Sequence, residues 1–236
     1  MTKMATTSSA LAATSPLGKA LRWLLWLAFS VLILAAFLWA PLSQGFAGRE
    51  GDAPQSSRIV FFHVPMAVVS FVAFITAAVW SGLYLYRRRP SDDQASQAAV
   101  EVGLVFCVLA TVTGAVWAKV QWGAYWNWDP RQTSIALAIL FYGAYLTLRG
   151  AIEDPEARAR ISSAYCVLGL VVAPFLFFIL PRLATFSLHP KPAGAEMDPR
   201  IGTVVVTSIL LHLGLFYWIA HLRRRLLTLE EGSAED

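Results

Sequence analysis

The sequence predicts an all-α, polytopic membrane protein with six transmembrane helices and both termini cytoplasmic. Three observations carry that prediction. Of 236 residues, 57% are hydrophobic and only 14% charged, with a mean hydropathy of +0.56; a soluble domain carries nearer a quarter charged residues. The apolar residues fall into six blocks, most of them about 20 residues long, the length of a helix that crosses a bilayer core. The cations divide unevenly between the two ends that six crossings would create. Twelve of the 19 (Lys3, Lys19, Arg22, Arg87, Arg88, Arg89, Arg149, Arg158, Arg160, Arg223, Arg224 and Arg225) share the end of the termini. Seven (Arg49, Arg58, Lys119, Arg131, Arg182, Lys191 and Arg200) share the other. The cation-rich end is the cytoplasmic one by the positive-inside rule.

Taken in order, residues 1–20 are rich in Ala, Ser and Thr and read as a disordered tail. The first helix, about 21–42, is longer than a secretory h-region and lacks a small-x-small site after it, so it is retained. The second, 59–86, has His63 in its first turn and Pro65 close behind, where a missing N–H costs little. Arg87, Arg88 and Arg89 end it. A polar segment through Gln97 precedes the third helix, 100–118, and a loop follows over 119–133. The fourth helix is expected over 134–149, with Thr133 and Ser134 as candidate caps. The fifth, 161–180, contains Pro174, and a loop with four prolines and His189 follows it over 181–200. The sixth, 201–221, ends at the second Arg triplet, and 226–236 form an acidic tail.

The loop over 119–133 is the chemically unusual stretch. Four of the seven residues from Trp122 to Trp128 are aromatic, three of them Trp, with Gly123 and the Asp129-Pro130-Arg131 turn set among them. Interfacial belts account for Trp23, Trp39 and Trp218, but a belt needs no Gly, Asp-Pro or Arg packed between its rings. Flat side chains, a Gly for close backbone approach and flanking cations suit a flat, apolar, anionic ligand. Asp129 alone reads as the residue that fixes a turn and an ion pair. The six-helix topology also returns His63 and His189, 126 positions apart, to the end that carries this loop. Two imidazoles flanking an aromatic shelf suit the axial positions of a haem iron, with Arg58 and Arg131 near enough in sequence for its propionates. His212, in the middle of the sixth helix, is a polar group facing the bundle interior.

Trp-Gly-Ala-Tyr-Trp-Asn-Trp-Asp-Pro-Arg-Gln-Thr-Ser, at 122–134, resembles the WWD signature of the haem-handling proteins of cytochrome c maturation. The length, the six-helix layout and Ser57-Arg-Ile-Val-Phe-Phe-His-Val-Pro65 resemble the haem exporter protein C family (CcmC) within that group. The resemblance implies haem b bound transiently at the outer face of the bacterial inner membrane, its iron held by His63 and His189. It implies a haem platform of Trp122, Tyr125, Trp126, Trp128 and Asp129, and propionate contacts from Arg58 and Arg131. It further implies handover to the haem chaperone CcmE, with the ATPase CcmA, the membrane subunit CcmB and the small helper CcmD as partners. Gln132 departs from the Leu usual in the family.

The chain has no G-x-x-x-x-G-K-[ST] stretch, so ATP hydrolysis falls to a partner, and no nucleophile–base pair suggests an enzyme. Cys107 and Cys166 lie in separate apolar blocks and read as small buried hydrophobes. The alternative reading is a permease subunit of an ABC-type haem exporter, which would need polar groups lining a path through its helices. A quinol-reducible cytochrome b would bury its ligand histidines between facing helices, and a haem ligase of the longer WWD type would carry further helices.

Overall fold

The computed structural model describes residues 16–42, 54–189 and 198–234. All regular structure among them is helical, and six helices are long and apolar enough to cross a membrane. We number them α1 (Pro16–Leu34, continued by a π turn over Ala35–Trp39), α2 (Val60–Arg87, entered through a 3-10 turn over Pro54–Ile59), α3 (Pro90–Trp122), α4 (Pro130–Ala151), α5 (Pro155–Leu183) and α6 (Pro199–Ala234). Pro stands at the first helical position of α3 and α4, where its missing N–H has no partner to lose.

The α2–α3 hairpin is the spine. Arg88 takes a left-handed conformation (φ 57°) as α2 ends, its N–H bonding the Tyr84 carbonyl, and α3 starts at Pro90. The two helices approach closely because small residues face each other. A Cβ on Gly103 would stand 2.8 Å from the Cβ of Ala73. Apolar burial drives little association between helices in lipid, so close backbone contact of this kind supplies the dispersion that does. Against this seam Phe74 stacks on Tyr142 of α4, centroids 3.6 Å apart and planes 7° from parallel. Tyr142, Tyr145, Cys107 and Cys166 complete the buried core, so both thiols sit among apolar neighbours. Helix α1 is peripheral: it touches α2 and α6 through Leu32 and Ala36, packed with Phe61, Ile201 and Val204.

Helices α1, α3, α4, α5 and α6 extend at one or both ends past the hydropathy pattern, α3 and α6 the furthest. Helix α3 begins at Pro90 rather than near 100, and its first turns are buried although polar. Asp93 receives a bidentate pair from Arg149 of α4 at 2.8 and 2.5 Å, and Gln97 accepts from the same guanidinium at 2.8 Å. Glu101 pairs with Arg223 of α6 at 2.5 Å, and Gln94 accepts from Thr228 at 2.9 Å. Polar side chains that satisfy one another across helices escape most of the penalty of burial, so a segment that reads as a polar connection is helical. The same contacts keep α6 helical to Ala234, through most of the stretch expected as an acidic tail. The expected tail over 1–20 lies outside the described residues except for its last turn, which is helical from Pro16.

Because six spans alternate in direction, the start of α2, the end of α3, the start of α4 and the end of α5 share one end. The ionic network and both Arg triplets share the other. Removing one partner of the Asp93–Arg149 pair strands a buried charge. Arg149→Met and Asp93→Asn are each expected to destabilise the bundle by about 3–5 kcal/mol, and replacement of both by Leu by much less. Denaturation of the purified protein in micelles, as a double-mutant cycle, measures this.

Candidate functional site

The tryptophan-rich segment is assembled by short-range bonds. Helix α3 ends at Gly123, whose left-handed φ of +82° bonds its N–H to the Lys119 carbonyl at 3.2 Å. Among the described residues, apart from its chain neighbours and the adjoining helix backbone, nothing lies within 4 Å of where its Cβ would be. Gly123 therefore serves this turn. Lys119 donates to the Gly123 carbonyl at 2.8 Å and lies 5.7 Å from the Tyr125 ring centroid. Gln132, the departure from the usual family residue, stitches the segment from α4: its side-chain oxygen accepts the Asn127 N–H at 2.9 Å and its amide donates to the Tyr125 carbonyl at 3.2 Å. Trp128 has a left-handed φ of 54° and packs edge-on to Trp126, centroids 5.8 Å apart.

Asp129 closes the segment and joins it to another. Its carboxylate caps α4 by accepting the Arg131 N–H at 2.9 Å. It also accepts from the Ser187 hydroxyl at 2.9 Å, the Leu188 N–H at 2.6 Å and His189 Nδ1 at 2.6 Å. The group is fully buried. Burial alone would raise its pKa, but the bonds from His189, Arg131 and Leu188 outweigh it and hold the carboxyl well below the usual range. So the loop after α5 docks on the head of α4 through one carboxylate.

His63, in the first turns of α2, faces α3. Its Nδ1 lies 3.2 Å from Thr113 Oγ1, and a Cβ on Gly114 would stand 2.7 Å from its Cε1. Thr113 donates its hydroxyl to the Leu109 carbonyl at 2.7 Å, so its oxygen is the acceptor toward the ring. In both histidines Nδ1 is tied, and Nε2 has no hydrogen-bond partner among the described residues.

A cavity of about 330 Å³ lies between these elements, within the range usual for small-ligand sites. His63 and His189 both line it, with Arg131, and its remaining wall is largely apolar: Val64, Phe71, Ile135 and Phe177 contribute. The other anticipated residues fall elsewhere. Arg58 bonds the carbonyls of Ala36 and Ala40 at the end of α1 and lines a smaller neighbouring pocket of about 260 Å³. Trp122 meets His189 edge-on at 5.0 Å, behind the cavity wall. Tyr125 and Trp128 are 59% and 72% exposed, beyond the cavity. His212 packs between Phe29 and Phe106 and bonds the Ser208 carbonyl at 2.8 Å, away from the cavity.

Sequence reasoning missed Trp117, which lines both pockets and lies 6.2 Å from the His189 ring. It also missed Thr113, Gly114 and Gln132. The spacing of Gly114, Trp117 and Gln121 on one face of α3 was the available signal.

Among known families, the model described as "CcmC: Heme exporter protein C" matches residues 2–231. The chain belongs to that family. It is 38% identical over 116 residues to heme exporter protein C of Paracoccus denitrificans, covering 49% of this chain and 48% of that protein. It is 33% identical over 157 residues to the Rhodobacter capsulatus protein of the same name, covering 66% and 63%. With the Escherichia coli K12 heme exporter protein C it shares 28% over 206 residues, covering 86% and 83%. The chain thus spans about half to just under two thirds of the first two relatives. Membership in the haem exporter protein C family accords with a multi-pass helical membrane protein.

The packing of His63 on a bare Cα gives a direct test. Gly114→Ala should push the imidazole aside and destabilise the bundle by about 1–3 kcal/mol through overpacking. Carbethoxylation of His63, read by mass spectrometry, should rise as the ring leaves its seat; unchanged reactivity and stability would refute the contact.

Proposed function

We propose that this chain binds haem b between His63 and His189 and presents it at the outer face of a bacterial inner membrane during c-type cytochrome maturation. One observation carries the reading: two imidazoles from distant parts of the chain line one largely apolar cavity, each with Nδ1 engaged and Nε2 left for a metal. Among the described residues no three His, Cys, Asp or Glu side chains converge as a metal site. A metal held here must bring most of its own ligands, as a porphyrin does. A b-type haem needs two imidazoles, apolar walls and a cation for its carboxylates. His63, His189, the cavity wall and Arg131 fit that need.

Haem is the cargo, and the chain's own groups bind and orient it. Arg131, exposed at the head of α4, receives a propionate; Arg58 stands at the neighbouring pocket for the other. Trp122, Trp126 and the exposed rings of Tyr125 and Trp128 extend the platform outward, where a chaperone can take the cargo. The relatives' name, heme exporter protein C, supports this assignment. The chaperone is CcmE, with ATP hydrolysis supplied by CcmA, beside the membrane subunit CcmB and the small helper CcmD. The sidedness rests on the cation count, twelve against seven.

Two measurements test the reading. Protein purified from haem-replete cells should show a low-spin bis-imidazole spectrum that His63→Ala or His189→Ala each abolishes; wild-type haem content in both variants refutes the ligand pair. Trp128→Cys should react with a membrane-impermeant maleimide in intact spheroplasted cells, against a low background because Cys107 and Cys166 are buried. Labelling only after the membrane is opened would place the site inside.

A further inference from the structure

We infer that the two histidines are unequal ligands: Asp129 and Thr113 are positioning residues that make His189 the electron-rich axial donor and His63 the neutral one. The inference rests on the haem reading above and concerns the groups behind the ligands.

Behind His63, among the described residues, stand neutral dipoles: the Thr113 hydroxyl and the Ala110 carbonyl. Thr113 commits its hydroxyl hydrogen to the backbone at Leu109, with the Ala110 carbonyl 3.2 Å away as its alternative. Its oxygen therefore accepts from Nδ1–H at 3.2 Å, which selects the tautomer with Nε2 unprotonated. Gly114 leaves the room the ring occupies, because a Cβ there would stand 2.7 Å from its Cε1.

Behind His189 there is a buried anion. The 2.6 Å bond from Nδ1 to Asp129 Oδ1 selects the same tautomer but is charge-assisted, about twice the strength of a neutral bond. Among the described residues, His189 is the one ionisable side chain that bonds Asp129; its other partners are N–H and O–H dipoles. No Lys or Arg in that set offsets the carboxylate, so its field falls on the imidazole. A carboxylate drawing on Nδ1–H leaves more electron density at Nε2 and raises its basicity as a metal ligand. An iron bound there is favoured in its ferric state by the donor and by the nearby negative charge. The cavity thus has a strong-donor side on the loop after α5 and a weak-donor side on α2.

The test uses the haem-loaded protein in micelles, with midpoint potential and ferric electron paramagnetic resonance as readouts. Asp129→Asn keeps an N-cap and an acceptor for the loop but removes the charge. It should raise the potential, change the ligand-field anisotropy and lower haem affinity on the order of 10–100-fold. Thr113→Val should lower affinity while leaving the potential near wild type, and Thr113→Ser should restore affinity. Ser187→Ala removes one loop bond to Oδ2 and the acceptor of the His189 backbone N–H, keeps the bond from the imidazole to Oδ1, and should leave the potential unchanged. An unchanged potential in Asp129→Asn, or an equal rise in Thr113→Val or Ser187→Ala, overturns the unequal-ligand assignment. Those outcomes leave the haem reading intact, because it falls only if His63→Ala and His189→Ala keep the wild-type spectrum.

Discussion

A buried carboxylate is expensive unless every lone pair it loses to water finds a donor, and Asp129 meets that condition with four. Two donors come from the backbone, one from a hydroxyl and one from an imidazole. They arise at the head of α4 and in the loop after α5, so one side chain pins two segments 60 residues apart. The position of Asp129 is in turn set by Pro130, which starts α4 and fixes where its N-cap must stand. The cavity, the direction of His189 and the course of the tryptophan-rich segment all depend on that knot.

The rest of the bundle keeps the knot in register. Small residues let α2 and α3 approach closely, so His63 on one meets Thr113 and Gly114 on the other without intervening side chains. At the opposite end, Asp93–Arg149 and Glu101–Arg223 hold α3 to α4 and α6. The first pair is buried and the second part-buried, and with their strict geometry they define which helices are neighbours more sharply than apolar packing in lipid can. Helix α1, mostly facing outward, adds a cap: the Arg58 guanidinium satisfies carbonyls at its frayed end that a helix terminus otherwise leaves without partners.

The tryptophans divide into two roles. Trp117 and Trp122 stand against His189 and brace it. Trp126 and Trp128 pack on each other with Tyr125 nearby, and Trp128 in particular points its ring to the surroundings. The segment is thus less a floor for the cavity than a rim beside it. In the proposed function this rim is where cargo and a second protein would meet.

Much of the architecture was legible from the sequence. Six apolar blocks of bilayer length determine six helices, because lipid leaves a spanning backbone no other way to satisfy itself. An even number of crossings then returns His63, the tryptophan-rich loop and His189 to one end. What local sequence does not contain is which polar side chains will find partners across helices. For that reason α3 begins at Pro90 among residues that read as a loop, and α6 runs on through residues that read as a tail. For the same reason Asp129 emerged as the carboxylate behind His189, Arg58 as a cap for α1 and Gln132 as the staple of the loop. The number and direction of the helices follow from transfer free energy, a property each residue carries alone. The cavity and the groups behind its histidines follow from hydrogen bonds between residues far apart in the chain, which only the tertiary structure could decide.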